Sequence, residues 1–268
     1  MFAVHLHLCM LLLPAPEPVL PPLAQANLEK NLRWMLQRER DAAKAKPPAA
    51  RVGVWADAGV WHEGVKAIVA ALEGEGVSCR LLDRTALTAD GLKGLEAIVL
   101  PGGWAPHQWG AAGADGLAAV KAFVNGGGRC VGVCAGAYLL SATVEYDGQK
   151  YPYPLGLFDG VATGPVKGLA AYPEWGAAKL SATDAGKKRG LELLDGVEVG
   201  YSGGPCFQKG TDVTVLAKYA DGSAAVVAKP FGKGEVILLG GHPELPTKEG
   251  GPAPKHAGPV YKALAVGK

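Results

Sequence analysis

The sequence predicts an α/β fold: an open, mostly parallel sheet with helices on both faces and a β-rich, loop-rich insertion in its second half. Three observations carry that expectation. From Arg51 onward, short apolar runs alternate with amphipathic helical stretches, the pattern that lays strands parallel through right-handed crossovers. Three of the apolar runs end in glycine-rich turns, at Pro101-Gly102-Gly103, at Gly132 to Gly136 and at Gly240-Gly241; open α/β sheets place their sites at such strand ends. Finally, 268 residues with 49% hydrophobic composition bury a full core without disulfide or metal staples.

Taken in order, Met1 to Leu13 is apolar, and Leu23-Ala24-Gln25-Ala26 offers an A-x-A cleavage site. Residues 1–26 therefore resemble a secretory signal peptide, with an apolar run too short to span a bilayer. The stretch before that run has His5 and His7 but no Lys or Arg, and Pro14 to Pro22 is long for a cleavage region. An unstructured N-terminus is the alternative. The expected location is accordingly periplasmic or extracellular if the signal operates, and cytoplasmic otherwise. Cys9 lies in no lipobox. Residues 27–50 read as a helical arm or linker, with Leu28, Leu32, Met35 and Leu36 at helical spacing and Pro47-Pro48 as the stop.

The domain proper covers residues 51–268. Arg51 to Trp55 reads as a first strand, Glu63 to Glu75 as a helix closed by Gly76, and Val77 to Leu82 as a second strand. The region Leu87 to Leu95 is helical, and Ala97 to Leu100 is the third strand. An amphipathic helix at Gly116 to Val124 leads through Gly126-Gly127-Gly128 into the strand Arg129 to Val133. This is a flavodoxin-like arrangement. From Tyr151 to Val215 helical periodicity fades and the chain reads as irregular and β-rich over the cleft, with strands at Val197 to Tyr201 and Val213 to Tyr219. Ala224 to Lys229 and Glu235 to Leu239 form a hairpin through Phe231 to Gly234, and after a loop the chain ends in a short helix.

The chemistry concentrates on Gly132-Val133-Cys134-Ala135-Gly136, a G-x-C-x-G turn between a strand and a helix. It is the cysteine form of a nucleophile elbow. Side chains at either glycine would collide with the neighbouring strand or helix, and the helix start favours a thiolate. At the end of the last strand, His242 is a natural general base for a thiol, and Glu244, two residues on, fits as the carboxylate that orients the imidazole. The amides of Gly102, Gly103 and Ala135 are free to point at a developing oxyanion. His107 reads as a solvent-facing loop residue, Asp57, Asp83 and Asp184 as turn or capping residues, and Trp55, Trp61, Trp104 and Trp109 as core or cleft-edge aromatics.

Cys79 and Cys130 read as buried packing residues, whereas Cys206 has a loop-like context that faces the site or pairs with another cysteine. Cys130 and Cys134, about 13 Å apart along one strand, are too distant to pair. No C-x-x-C and no His/Cys cluster at zinc-ligand spacing occurs, so neither a metal nor a cofactor is expected. A net charge of +2 without a basic cluster points away from nucleic-acid and membrane-surface partners.

Strand-Pro101-Gly102-Gly103, then Gly132 to Gly136, then Gly241-His242-Pro243-Glu244, in that order, resembles the class I glutamine amidotransferase-like superfamily. Gly132 to Tyr138, Gly156 to Gly160 and Tyr201 to Phe207 bring the likeness closest to the domain at the N-terminus of biotin–protein ligases and its stand-alone bacterial relatives. It covers Arg51 to the C-terminus. The resemblance implies Cys134 as nucleophile, His242 as base, Glu244 as its orienter, and Gly102 or Gly103 as oxyanion contact. The chain departs from that pattern at one position. Glutaminase domains read G-x-C-x-G-x-Q, with the glutamine helping to hold substrate, and here Tyr138 takes that place. Two function classes follow. One is a thiol-dependent amide or acyl hydrolase or transferase acting on a small carbonyl or amide compound; the other is a non-catalytic binding or regulatory module on the same fold.

Overall fold

The computed structural model describes residues 20–45, 48–153, 155–248 and 250–267. Helix α1 (Pro22–Ala45) precedes the domain and packs on α2. It runs unbroken across the expected cleavage point at Ala26, with Ala24, Asn27 and Asn31 buried. Asn27 Oδ1 accepts from the His62 amide at 2.8 Å, and Asn31 Oδ1 lies 2.8 Å from His62 Nδ1. The arm thus begins five residues before the boundary read from the sequence (22 against 27). Residues 1–19, which hold most of the signal-like stretch, lie outside the described residues.

Strand β1 (Val52–Trp55) leads into α2 (His62–Gly74), β2 (Cys79–Leu82), the short α3 (Ala89–Leu92) and β3 (Ala97–Leu100). In α2 the buried residues Val65, Ile68, Val69 and Leu72 follow helical spacing, so one stripe faces the sheet. Helix α4 (Ala105–Asn125), β4 (Arg129–Val133) and α5 (Ala135–Leu140) come next. β1, β3 and β4 are apolar nearly throughout and pair in parallel, as expected of strands covered on both faces. Helix α4 starts eleven residues earlier than the periodicity from Gly116 indicates (105 against 116), because the chain breaks helical geometry at Gly113, with φ 63°. His107 therefore sits in the first turn of a helix, half-buried, not on a solvent-facing loop.

The insertion holds β5 (Ser141–Tyr146), β6 (Gln149–Pro152), β7 (Phe158–Gly164), β8 (Gly176–Ala182), α6 (Asp184–Arg189), β9 (Glu198–Tyr201) and β10 (Cys206–Gln208). Asp184 is the first residue of α6; the cap is Thr183, whose hydroxyl accepts from the Gly186 amide at 3.1 Å. Cys206 lies in β10 and is buried, and no disulfide forms among the described cysteines. Cys79 is half-buried at the start of β2.

β11 (Thr214–Tyr219), β12 (Ala224–Phe231), β13 (Gly234–Leu239) and α7 (Ala257–Ala265) complete the chain. The sheet order is β2-β1-β3-β4-β13 in parallel, extended by β12 and β10 antiparallel to their neighbours and then by β7, β5 and β6. Counting β13 as the fifth strand, the parallel core has the flavodoxin-like 2-1-3-4-5 order. Right-handed crossovers put α2 and α7, which pack on each other, on one face and α4 on the other. Register then places the site. Leu100 of β3 pairs with Gly132 of β4, and Val133 with Leu239 of β13. The turns after these strands, carrying Gly102-Gly103, Cys134 and His242, consequently emerge side by side at one edge.

Candidate active site

Cys134 occupies a backbone conformation that side-chain-bearing residues rarely adopt, φ 49° and ψ −104°. Such strain persists only where surrounding structure over-determines it. Here the Cys134 amide donates to Leu239 O at 2.8 Å, and the Cys134 carbonyl accepts from the Tyr138 amide at 3.1 Å. The flanking glycines allow the turn. A Cβ on Gly136 would land well inside contact distance of the Leu100 carbonyl, and one on Gly132 would strike the Gly136 backbone. Helix α5, buried along all of its length, can therefore lie directly against the ends of β3 and β4.

His242 follows β13 and is fixed by a backbone bridge to β9. Its amide donates to Gly200 O at 2.8 Å, and the Gly200 amide donates back to His242 O at 3.2 Å. Its Nδ1 lies 2.8 Å from Glu244 Oε1, while Glu244 Oε2 accepts from the Tyr261 hydroxyl at 2.7 Å. An ionised carboxylate only accepts, so Nδ1 carries the proton. His242, Glu244 and Tyr261 are 1%, 2% and 0% exposed, a continuous polar array closed off from solvent. Burial works against charging the imidazole. The Glu244 carboxylate and a Cys134 thiolate, by charge and by hydrogen bonding, outweigh it and hold His242 above the ordinary imidazole range. Trp61 and Trp175 flank the ring, with centroids 6.2 and 5.5 Å away. Trp175 is itself tied down by Nε1 donating to Pro246 O at 2.8 Å.

The two glycines after β3 do different things. Gly102 packs against the His242 ring, where any Cβ would displace the imidazole. Gly103, with φ 144°, lines the cavity beside Cys134 and Ala135. Its amide lies between two cross-loop bonds, Trp61 N to Gly102 O at 3.1 Å and Trp104 N to Gly59 O at 2.7 Å. Ala135 is the first residue of α5, so its amide has no intrahelical acceptor. Gln108, fully buried on α4, secures this loop by donating to Pro101 O at 2.9 Å and Gly59 O at 3.2 Å.

The cavity holds about 320 Å³, and Cys134 is 7% exposed within it. The thiol donates to Ser202 O at 3.7 Å. Tyr138, at the position where glutaminase domains carry glutamine, lies on the same wall with its hydroxyl donating to Gly203 O at 2.9 Å. Burial raises its proton affinity well above the usual phenol value. Of the other described thiols, burial pushes Cys79 and Cys130 up to about 12 and raises Cys206 as well. A larger, shallower depression of about 760 Å³ lies at the opposite edge of the sheet, beside Glu96 and Arg129. It has no thiol and no buried acid–base pair, so the smaller cavity is the candidate site.

Residues 51–264 match the family model described as biotin-protein ligase, N terminal. The chain belongs to this family. Within it, the biotin–protein ligase of Schizosaccharomyces pombe is 29% identical over 153 residues, 48% of this chain and 22% of that protein. An uncharacterized protein of Chlamydia muridarum is 34% identical over 165 residues, 56% of this chain and 60% of that one. The chain thus matches less than two thirds of the length of either relative. A solved glutamine amidotransferase shares the fold, with a TM-score of 0.55 and 20% identity over 81% of this chain and 99% of that one. The fold is therefore the one seen in that glutamine amidotransferase, here in a biotin–protein ligase N-terminal-type domain.

Several contributors to the site escaped the sequence. Tyr261 sits seventeen residues beyond Glu244 on α7 (261 against 244). The available signal was a tyrosine on the apolar face of that helix, since a buried phenol needs a partner. Trp175 was not singled out at all, and Trp61, read as a core or cleft-edge aromatic, was not tied to His242; the two lie far apart in the chain, and no local pattern joins them to that ring. Trp55, by contrast, is buried within β1 and reaches no edge of the cleft.

Proposed function

We propose that the domain is a thiol-dependent amide or acyl hydrolase or transferase, with Cys134 as nucleophile, His242 as general base and Glu244 as the residue that orients it. One observation carries this reading: a strained cysteine at the floor of a cavity beside a buried histidine–carboxylate–tyrosine array. With Nδ1 donating to Glu244, Nε2 is the nitrogen that holds the proton given up by Cys134, and a His242 proton affinity above the ordinary imidazole range favours the thiolate–imidazolium pair. The thiolate attacks the substrate carbonyl carbon, and the amides of Gly103 and Ala135 receive the oxyanion. On collapse the C–N bond breaks, His242 returns its proton to the leaving amine, and a thioester remains on Cys134. Water or a second amine, deprotonated by His242, then releases the acyl group and restores the thiol.

Iodoacetamide labelling at mildly acidic pH tests this. Cys134 is expected to react before Cys79, Cys130 and Cys206, and faster than a free thiol, with His242→Ala slowing it. Labelling no faster than a free thiol, unaffected by His242→Ala, would remove the main support. The second reading is a binding module without turnover. It is favoured by the thiol donating to Ser202 O and by Tyr138 standing where glutaminase domains have glutamine.

A further inference from the structure

Six aromatic side chains line the cavity beside Cys134: Trp104, Tyr138, Tyr146, Tyr151, Tyr153 and Tyr172. Two edge-to-face pairs stiffen it, Tyr138–Tyr146 at 5.8 Å and Trp104–Tyr172 at 6.2 Å between centroids. The remaining wall is small or aliphatic apart from Cys134 and Ser202. Among the described residues no Asp, Glu, Lys, Arg or His lines it. Tyr151 and Tyr172 are 45% and 43% exposed, and Trp109, 41% exposed, packs on Tyr153 at 5.4 Å. Exposed aromatics grouped around a cavity mark a surface that a ligand covers. An amino acid bound here would surrender the hydration of its ammonium and carboxylate without meeting a counter-charge. A flat, neutral ring would instead gain aromatic contacts on several sides.

We propose that this cavity takes neutral compounds whose acyl part carries an aromatic ring, with the amide or ester carbonyl at Cys134, and that it excludes zwitterionic amino acids such as glutamine. The proposal rests on the thiol chemistry of Cys134 set out above and names its substrate class. The cavity volume of about 320 Å³ lies at the small end of ligand sites, room for one ring on a short chain. With an ester, the Cys134 proton passes to His242, the C–S bond forms and the C–O bond breaks, and the leaving group departs as its anion. His242 releases that proton to solvent; water then gives a proton to the imidazole and its oxygen to the carbonyl carbon, the C–S bond breaks, the Cys134 sulfur takes the proton back from His242, and the acid is released.

Two esters with the same leaving group isolate acyl recognition: p-nitrophenyl 3-phenylpropanoate and the γ-p-nitrophenyl ester of L-glutamate. Acylation is followed by p-nitrophenolate release and by intact mass, each rate divided by that of the same ester with a free thiol. The phenylpropanoyl ester is expected to acylate Cys134 about 10- to 100-fold faster, and a glutamyl ester that reacts equally well or better overturns the proposal. If neither ester outruns the free thiol, the thiol reading has failed, and occupancy decides the pocket separately. 3-Phenylpropanamide, but not L-glutamine, is expected to slow iodoacetamide labelling of Cys134, and Tyr172→Ser to weaken that protection. Protection by glutamine, or by neither compound, overturns the assignment.

Discussion

Replacing Tyr261 with Phe removes one oxygen and leaves the ring, so packing on α7 is preserved and the loss is confined to one hydrogen bond. That bond, 2.7 Å long, runs to Glu244 Oε2 in a fully enclosed array. A hydrogen bond to a charged group contributes about 1.5–3 kcal/mol, and the carboxylate oxygen left behind has no water to replace it. For a domain of this size each kcal/mol lowers Tm by about 2–4 °C, so a drop of about 3–12 °C is expected. Thermal melts followed by circular dichroism measure it, and iodoacetamide labelling of Cys134 provides the functional readout. With Glu244 less firmly held, His242 is less well oriented and labelling slows without being abolished. A Tm change below about 2 °C would mean that the phenol does not support the carboxylate. A full Tm drop with unchanged labelling would confine Tyr261 to stability and separate it from the thiol.

Other substitutions probe neighbouring links. His242→Ala is expected to slow Cys134 alkylation at about pH 6, where an imidazolium partner favours thiolate, as measured by peptide-resolved mass spectrometry; Cys79 and Cys130 stay unlabelled because burial raises both to about 12. Because His242 holds its proton more tightly folded than unfolded, it stabilises the fold below the unfolded imidazole pKa of about 6.5. That contribution is lost as pH rises toward about 10, so urea midpoints of the native protein should fall across this window and those of Glu244→Gln should fall less. Gly136→Ala forces a methyl group onto the Leu100 carbonyl and should cost at least about 1–3 kcal/mol by urea denaturation; a neutral result would contradict the close approach of α5 to β3. Export, which we propose from the composition of residues 1–26, predicts by intact mass an extracytoplasmic chain beginning at or near Asn27, one that keeps the Asn27–His62 bond but lacks Ala24.

Four of the five strands of the parallel core were legible because each is a short, mostly apolar run: Val52–Trp55, Ala97–Leu100, Arg129–Val133 and Gly234–Leu239. Doubly covered strands allow few polar residues, so composition alone reveals them. The start of α4 was missed, although Pro106 in its first turn is a recognised helix-start signal. The interruption at Gly113 had split the periodicity. Short α6 was missed because six residues give periodicity little to work on.

By itself the sequence determined the cysteine turn and the pairing of His242 with Glu244. Glycines two residues either side of Cys134 and an H-x-E step after a strand are local patterns, imposed by backbone sterics and by the reach of one side chain. Only the tertiary structure decided which groups surround them. The register of β3, β4 and β13 sets Gly102 against the His242 ring. The packing of α7 brings Tyr261 to Glu244, and the insertion carries Tyr146, Tyr172 and Ser202 to the cavity. Trp61 and Trp175 meet across His242 from separate parts of the chain. Contacts between residues so distant in sequence leave no periodicity to read, because they depend on where sheet register and helix packing place whole elements relative to one another.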